Sequence, residues 1–343
     1  MRITLKDIAK KAGVSPTTVS LVLNNKPCRV SEKTRSEIIS IANNLNYIPN
    51  HQARSLASNK SFIVGLLVPN IENPFFAKLS RLIEKSLLSE GYMTLIMNSN
   101  DDPSYENRLL TKLIGMNIDA LVCVVSNPDN FKYDELFNLT NKSNTEIILI
   151  DRYNLETSHN QIYFDNIKGG YLATTYLIAN GHKNIATIMA TEKKFNSHKR
   201  FLGYKQALEE NNITLNESIQ FECDFDFYSG YKIALELIKD KDITAAFCAN
   251  DLIALGILRK LQEIGVRVPD DFSIIGYDNI VINDYFTKKL TTIEQDVSKL
   301  AKITVRKVLE NLNKKRHNEL IIFDNIILNP LLIEGETTSN INE

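Results

Sequence analysis

Apolar side chains recur at helical spacing over the first fifty residues. After residue 60 they form short continuous runs separated by helical stretches, so the chain joins two architectures. Leu5, Ile8, Ala9 and Ala12 fall at i, i+3, i+4 and i+7, the stripe of a short amphipathic helix that Thr4 can cap and Gly13 can end. Ser15 is a good N-cap with Pro16 as the first helical residue, and Val19, Val22 and Leu23 make a second stripe. Ser31 caps a third helix, with Glu32 near its positive end and Ile38, Ile41, Ala42 and Leu45 turned inward. Two short helices, a tight glycine turn and a bracing third helix predict an all-α helix-turn-helix unit over residues 1–48.

Strand-like runs at Ser61–Val68, Met93–Met97, Ala120–Val125, Glu146–Ile150, Asn184–Ala190, near 219–223, Ile243–Cys248 and Ser273–Gly276 alternate with helical stretches. This βαβα order predicts parallel sheets flanked by helices, in two lobes with a cleft between them. The chain is expected to cross between lobes near 162–166 and 290–296. A helix over about 296–313 should pack on the first lobe, and residues 319–334 should return strands through both. The predicted core spans 61–338, with lobe 1 at about 61–163 and 294–322 and lobe 2 at about 164–293 and 323–338. Residues 339–343 are a polar tail, and with no leucine heptads in the closing segment a dimer is expected rather than a coiled-coil tetramer.

Composition sharpens the division. A net charge of −1 conceals a head, residues 1–60, with ten Lys/Arg against three Asp/Glu (+7), and a body with thirty against thirty-eight (−8). A basic head on an acidic body suits a head that meets a polyanion, although a solvated charged face gives the same count. Cys28, Cys123, Cys223 and Cys248 form no CxxC pair and have no His cluster beside them, so neither a zinc site nor a disulfide framework is expected. The N-terminus has no apolar signal core, which argues for a cytoplasmic chain.

In the helix-turn-helix reading the second helix enters the major groove. Its buried stripe leaves Pro16, Thr17, Ser20 and Leu21 outward. Thr17 can reach a base edge or phosphate, and Leu21 only an apolar group such as a thymine methyl. Lys6, Lys26, Arg29, Lys33 and Arg35 are placed for phosphates. Residues 49–60 are a hinge helix and linker: Pro49 starts a helix-competent stretch of about nine residues, too short to be stable alone, so a partner is needed to form it. In the body, ligands of parallel sheets bind beyond the carboxyl ends of strands. That nominates Pro69–Phe76, Asp151 and Arg152, Asn250 and Asp251, and Tyr277–Asn279. These polar groups around Phe75, Phe76 and Phe225 suit a sugar, and equally a purine or another small polar metabolite.

The run from Thr4 to Asn24 (TLKDIAKKAGVSPTTVSLVLN), with Asn46–Asn50 (NYIPN) and Ala53–Ala57 (ARSLA), resembles the head and hinge of the lactose/galactose-repressor (LacI/GalR) family. Asp165–Tyr171 (DNIKGGY), Arg200–Gly203 (RFLG), Ala249–Asp251 (AND), Ile275–Asn279 (IGYDN) and Leu290–Asp296 (LTTIEQD) resemble its core. The resemblance implies a transcriptional repressor with a periplasmic-binding-protein-like core, acting as a homodimer on pseudo-palindromic operator DNA under control of a small effector. It implies operator contacts from Thr4, Pro16, Thr17, Thr18, Ser20, Leu21, Asn24 and Arg29. Leu56 becomes the minor-groove wedge, beside Ala57. Leu21 departs from the Arg or His of familiar members, which removes a guanine reader. By the same resemblance Arg200, Asn250 and Asp278 contact the effector, Phe75, Phe76 and Phe225 wall the cleft, and Asp151 lies at its edge. Asn250, absent from purine-responsive members, tilts the effector toward a sugar.

Competing classes fare worse. GxGxxG, Walker, GxSxG and HExxH motifs are missing, and the five histidines do not cluster, so neither an enzyme nor a cofactor is expected. A sugar-transport protein of the same body fold would need a signal peptide in place of the basic head. An architectural DNA binder would hold all duplexes equally.

Overall fold

The computed structural model describes residues 3–48, 60–126, 128, 136, 143–154, 157, 159–190, 195–280 and 288–342. The chain divides into two compact units, Met1–Ser61 and Phe62–Glu343.

The head is built of α1 (Leu5–Ala12), α2 (Pro16–Leu23) and α3 (Glu32–Asn44). Gly13 ends α1 in the left-handed conformation at φ 65°, returning its N–H to Ala9 O, a geometry that costs a side-chain-bearing residue more than glycine. Ser15 Oγ accepts from Thr18 N–H and Ser31 Oγ from Thr34 N–H, as the cap positions require. Ile8, Ala9, Val19, Val22, Ile38 and Ala42 form the core of the unit. Ile41 and Leu45 are half-buried against it rather than inside it. The expected hinge, apart from Lys60, lies outside the described residues.

The body holds two six-stranded sheets of matching plan. The first contains β1 (Ile63–Val68), β2 (Met93–Asn98), β3 (Ala120–Cys123), β4 (Glu146–Ile150), β5 (Asn160–Phe164) and β11 (Asn325–Leu328), in the order β11-β5-β4-β3-β1-β2. The second contains β6 (Ile185–Met189), β7 (Gln220–Glu222), β8 (Ala245–Cys248), β9 (Ser273–Asp278), β10 (Thr291–Glu294) and β12 (Leu331–Ile333), in the order β12-β10-β9-β8-β6-β7. Among the described residues, β10 and β12 pair antiparallel and the other paired strands of the two sheets run parallel.

Helices α4 (Pro74–Ser89), α5 (Pro103–Gly115) and α10 (Val297–Arg316) cover the first sheet. Alternation along its strands divides the core in two. Val64, Leu66 and Val68, with Ala120, Val122, Ile148 and Ile150, pack on the α4–α10 side. Leu67, Leu121, Cys123, Ile147 and Leu149 pack against α5. Strands buried on both faces read as unbroken apolar runs, which is why these were found from the sequence. The second sheet is covered by α6 (Asn166–Ala179), α7 (Phe195–Glu210), α8 (Phe227–Leu237) and α9 (Asp251–Glu263). Helices α6 and α7 meet through Gly170 and Gly203. A Cβ on either would collide with the other helix's backbone, at Arg200 O or Ile167 O, so both glycines are needed to seat Arg200 where it lies.

Two expectations need correction. Strand β5 was expected only as a crossing. The second boundary was set at 322/323, but β11 pairs with β5 in the first sheet, so the chain enters lobe 2 only after Leu328. Asn329 and Pro330 separate β11 from β12, at the one place in the segment where proline removes a backbone donor. The polar closing residues are tied to the second lobe: Ser339 N–H donates to Ser273 Oγ and Ile341 N–H to Asn180 O.

Candidate functional site

In the head, Pro16, Thr17 and Arg29 are exposed, and Ser20 and Leu21 are half-buried on α2. Three other candidate operator residues bond their polar groups to near neighbours at the surface of the head. The Asp7 carboxylate accepts from both the backbone N–H and the hydroxyl of Thr4, which holds its pKa below the usual range. The Thr18 hydroxyl pairs with Ser15 Oγ, and Asn24 Nδ2 donates to Ser20 O. Of the expected phosphate contacts, Lys6, Lys26 and Lys33 are exposed. Arg35 is half-buried: its Nη2 donates to Cys28 Sγ at 3.6 Å and its Nε lies 3.9 Å from Glu32, so it acts inside the domain. Leu56 and Ala57 lie outside the described residues.

In the body a cavity of about 430 Å³ opens between the carboxyl ends of the two sheets. All seven effector candidates line it: Phe75, Phe76 and Asp151 from lobe 1, and Arg200, Phe225, Asn250 and Asp278 from lobe 2. Phe75 and Phe76 meet edge to face at 5.1 Å and also pack into the lobe-1 core, so they serve as wall and core together. Asn250 Oδ1 caps α9 through Ile253 N–H, which leaves its amide NH₂ reaching Phe225 O at 3.4 Å.

Arg200 is the hub of the lobe-2 wall. Its Nη2 lies 3.3 Å from Asp278 Oδ1, its Nε donates to Asn166 Oδ1 at 2.8 Å and its Nη1 donates to Ala249 O. The guanidinium lies 3.6 Å over the Tyr277 ring, a cation–π contact. Gln295 Nε2 donates to the same Asp278 oxygen at 2.7 Å. Burial pushes Asp278 up to about 6 although Arg200 opposes the shift. Burial likewise raises Asp151, which accepts from Asn196 Nδ2 at 2.9 Å. Both carboxylates sit where the backbone turns left-handed, at φ 68° for Asp151 and 105° for Asp278. Such positions cost about 1–3 kcal/mol each and concentrate at binding sites.

On the lobe-1 side, Arg152 Nη1 reaches Asp101 Oδ1 at 2.5 Å and the carbonyls of Val125 and Ser126. Behind it Glu106 is fully buried, accepts from Ser126 N–H and is raised by burial to about 7. Asn98, Asn100, Asp101, Phe195, Asn196 and Gln295 also line the cavity and were not anticipated. Asn100 and Asp101 follow β2, so the strand-end rule would have reached them. Gln295 sits on a crossing between lobes and carries no local signal. Among the described residues no group of His, Cys, Asp or Glu is arranged to hold a metal, and no helix is long and apolar enough to cross a membrane.

A helix-turn-helix unit joined to a two-lobed α/β core with a polar cleft defines a ligand-controlled DNA-binding regulator. The profile of bacterial regulatory proteins of the lacI family matches residues 4–50, and that of the periplasmic binding protein-like domain matches residues 174–338. The chain is 34% identical over 340 residues to the HTH-type transcriptional repressor PurR of Photobacterium profundum, covering 99% of each. Its fold is similar to the lac repressor dimer bound to operator and the anti-inducer ONPF, with TM-score 0.86, 26% identity and coverage of 99% of this chain and 100% of that one. It is also similar to a LacI family transcriptional regulator from Enterococcus faecium with bound ribose, with TM-score 0.73, 30% identity and coverage of 81% and 99%. The chain belongs to the lacI family of bacterial regulatory proteins, a DNA-binding repressor under ligand control rather than an enzyme.

Proposed function

We propose that this repressor binds a pseudo-palindromic operator as a homodimer and that a sugar in the interlobe cavity sets its grip. The observation that carries the reading is the network around Asp278. Arg200 joins Asp278 to Asn166, the first residue of α6 just past one interlobe crossing, and Gln295 joins it to a second crossing between β10 and α10. A ligand that draws on this carboxylate pulls on both crossings together. The effector must bind the two lobe arrangements unequally, or nothing shifts.

Amides at Asn98, Asn196 and Asn250 that share the cavity lining with the rings of Phe75, Phe76 and Phe225 support a sugar. The ribose held by the Enterococcus faecium relative points the same way. Exposed apolar residues on edge strand β2 (Met93, Ile96) and on α4 (Leu88) support a dimer face on lobe 1. In the head, Pro16, Thr17 and Leu21 read the major groove and Arg29 holds phosphate. Leu56 wedges the minor groove beside Ala57.

Operator fragments selected from genomic DNA test the reading, with sugars and nucleosides screened by thermal shift. The intact chain should retard a defined operator, and a stabilising ligand should change that retardation. A chain lacking residues 1–60 that retards the operator equally well overturns it.

A further inference from the structure

The geometry points to a cavity that selects a ligand rich in hydrogen-bond donors and free of negative charge, an unphosphorylated or aminated polyol, and that excludes phosphate esters. This rests on the cavity being the effector site and goes further by fixing the ligand's charge.

Three observations carry it. The first concerns the acceptors. Asn196 Nδ2 donates to Asp151 Oδ2 and Gln295 Nε2 donates to Asp278 Oδ1. An ionised carboxylate only accepts, so each amide is held with its NH₂ toward the acid and its oxygen away. The residues are 9% and 2% exposed, both line the cavity, and among the described residues neither Asn196 Oδ1 nor Gln295 Oε1 has a partner, although both oxygens are buried. A ligand O–H or N–H that reaches them as the side chains adjust supplies what each oxygen lacks; a phosphate oxygen adds another acceptor.

The second concerns the helix ends. Helix N-termini are the ready anion sites of α/β folds; α7 opens on this cavity at Phe195, with the residues before it outside the described ones, and the N-caps of α4, α8 and α9 also line it. Each of these last three ends is already filled by its own cap: Asn73 Oδ1 takes Phe75 N–H, Asp226 Oδ1 takes Ser229 N–H, and Asn250 Oδ1 takes Ile253 N–H. At α8 the cap is itself an anion.

The third is the charge balance. Among the described residues lining the cavity, the carboxylates of Glu72, Asp101, Asp151, Asp224, Asp226 and Asp278 face two guanidiniums. Both guanidiniums are engaged by the protein, Arg152 at Asp101 and two carbonyls, Arg200 at Asp278, Asn166 and Ala249 O. Bidentate phosphate recognition uses forked, unengaged donors of that kind. Burial already holds Asp151 and Asp278 above the usual carboxylate range, and a further anion would deepen that penalty.

Matched probes test this on the full chain by thermal shift and calorimetry: ribose and ribose 5-phosphate; glucose, glucosamine and glucose 6-phosphate; adenosine and AMP. The expected result is that an uncharged or aminated member binds and its phosphate ester binds at least tenfold more weakly. Binding of adenosine over AMP also supports the charge selection while replacing the sugar with a nucleoside. A phosphate ester that binds as tightly as its parent overturns the inference, as does silence from every unphosphorylated member. The two readings fail separately. A phosphate ester that alters operator affinity refutes the charge rule and keeps the ligand-controlled repressor. A neutral sugar that fills the cavity without altering operator affinity does the reverse.

Discussion

Breaking the Arg200–Asp278 pair should cost the body far more than a surface ion pair would. The two residues are 3% and 7% exposed. In Arg200→Met the Asp278 carboxylate keeps only Gln295 of its two side-chain donors; in Asp278→Asn the guanidinium keeps Asn166 and Ala249 O but loses its counter-charge. Removing one partner of a buried pair costs about 3–5 kcal/mol, because the other charge is left uncompensated. The double variant removes both charges, so its cost should fall short of the summed singles by about 1–3 kcal/mol. The Arg200→Met cost should also depend on pH. Arg200 lowers the pKa of Asp278, so its loss lifts that carboxyl further above about 6. At pH 5 Asp278 is then largely neutral and little charge is stranded; the penalty grows as pH rises toward 8 and more of the carboxyl ionises. Urea unfolding of the four proteins at pH 5 and pH 8, followed by far-UV circular dichroism because the chain has no tryptophan, measures both effects. Strictly additive costs, or an Arg200→Met cost equal at the two pH values, would refute the reasoning.

Three further expectations concern other parts of the molecule. Glu106, raised by burial to about 7 from an ordinary 4.5, binds more protons folded than unfolded between those values. Stability therefore falls as pH rises through that window, by up to about 3 kcal/mol, and thermal melts of Glu106→Gln at pH 5 and 8 should lack that fall; parallel curves for the two proteins sink the argument. Leu56→Ala should weaken specific operator binding more than nonspecific binding in competition titrations, and equal losses remove the wedge role. Leu21→Arg should introduce a preference for guanine worth about 1–3 kcal/mol at one position of each half-site, read by binding selection on randomised duplexes; an unchanged preference takes Leu21 off the groove.

Much of this was legible because the relevant signals are local. Ser15 and Pro16 announce α2 by cap chemistry. The strand-end rule reached Asp151, Asn250 and Asp278 before any geometry was known. What escaped depends on distant partners. Strand β5 begins with Asn160 and Gln161, both fully buried, and reads as polar. Asn160 Oδ1 accepts from Asp324 N–H and Gln161 Nε2 donates to Asn325 Oδ1, both far along the chain, and Gln161 Nε2 also donates to Asn154 O, while Asn160 Nδ2 has no partner among the described residues. No periodicity reveals that exchange. The same pairing holds β11 in lobe 1, which moved the boundary expected at 322. Gln295 and Asn196 take their meaning from carboxylates 17 and 45 residues away. Arg35 reads as a phosphate contact by charge alone, and its bond to the half-buried thiol of Cys28 has no signal in the sequence.

Ligand control of the operator requires reciprocity between cavity and DNA-binding head. If ligand occupancy changes operator affinity by some factor, operator must change ligand affinity by the same factor. Calorimetric titration of the stabilising ligand into the free protein and into the protein–operator complex measures this directly. The predicted result is two ligand affinities differing by the factor that the ligand imposes on operator binding. A single ligand affinity, the same with and without operator, contradicts the account.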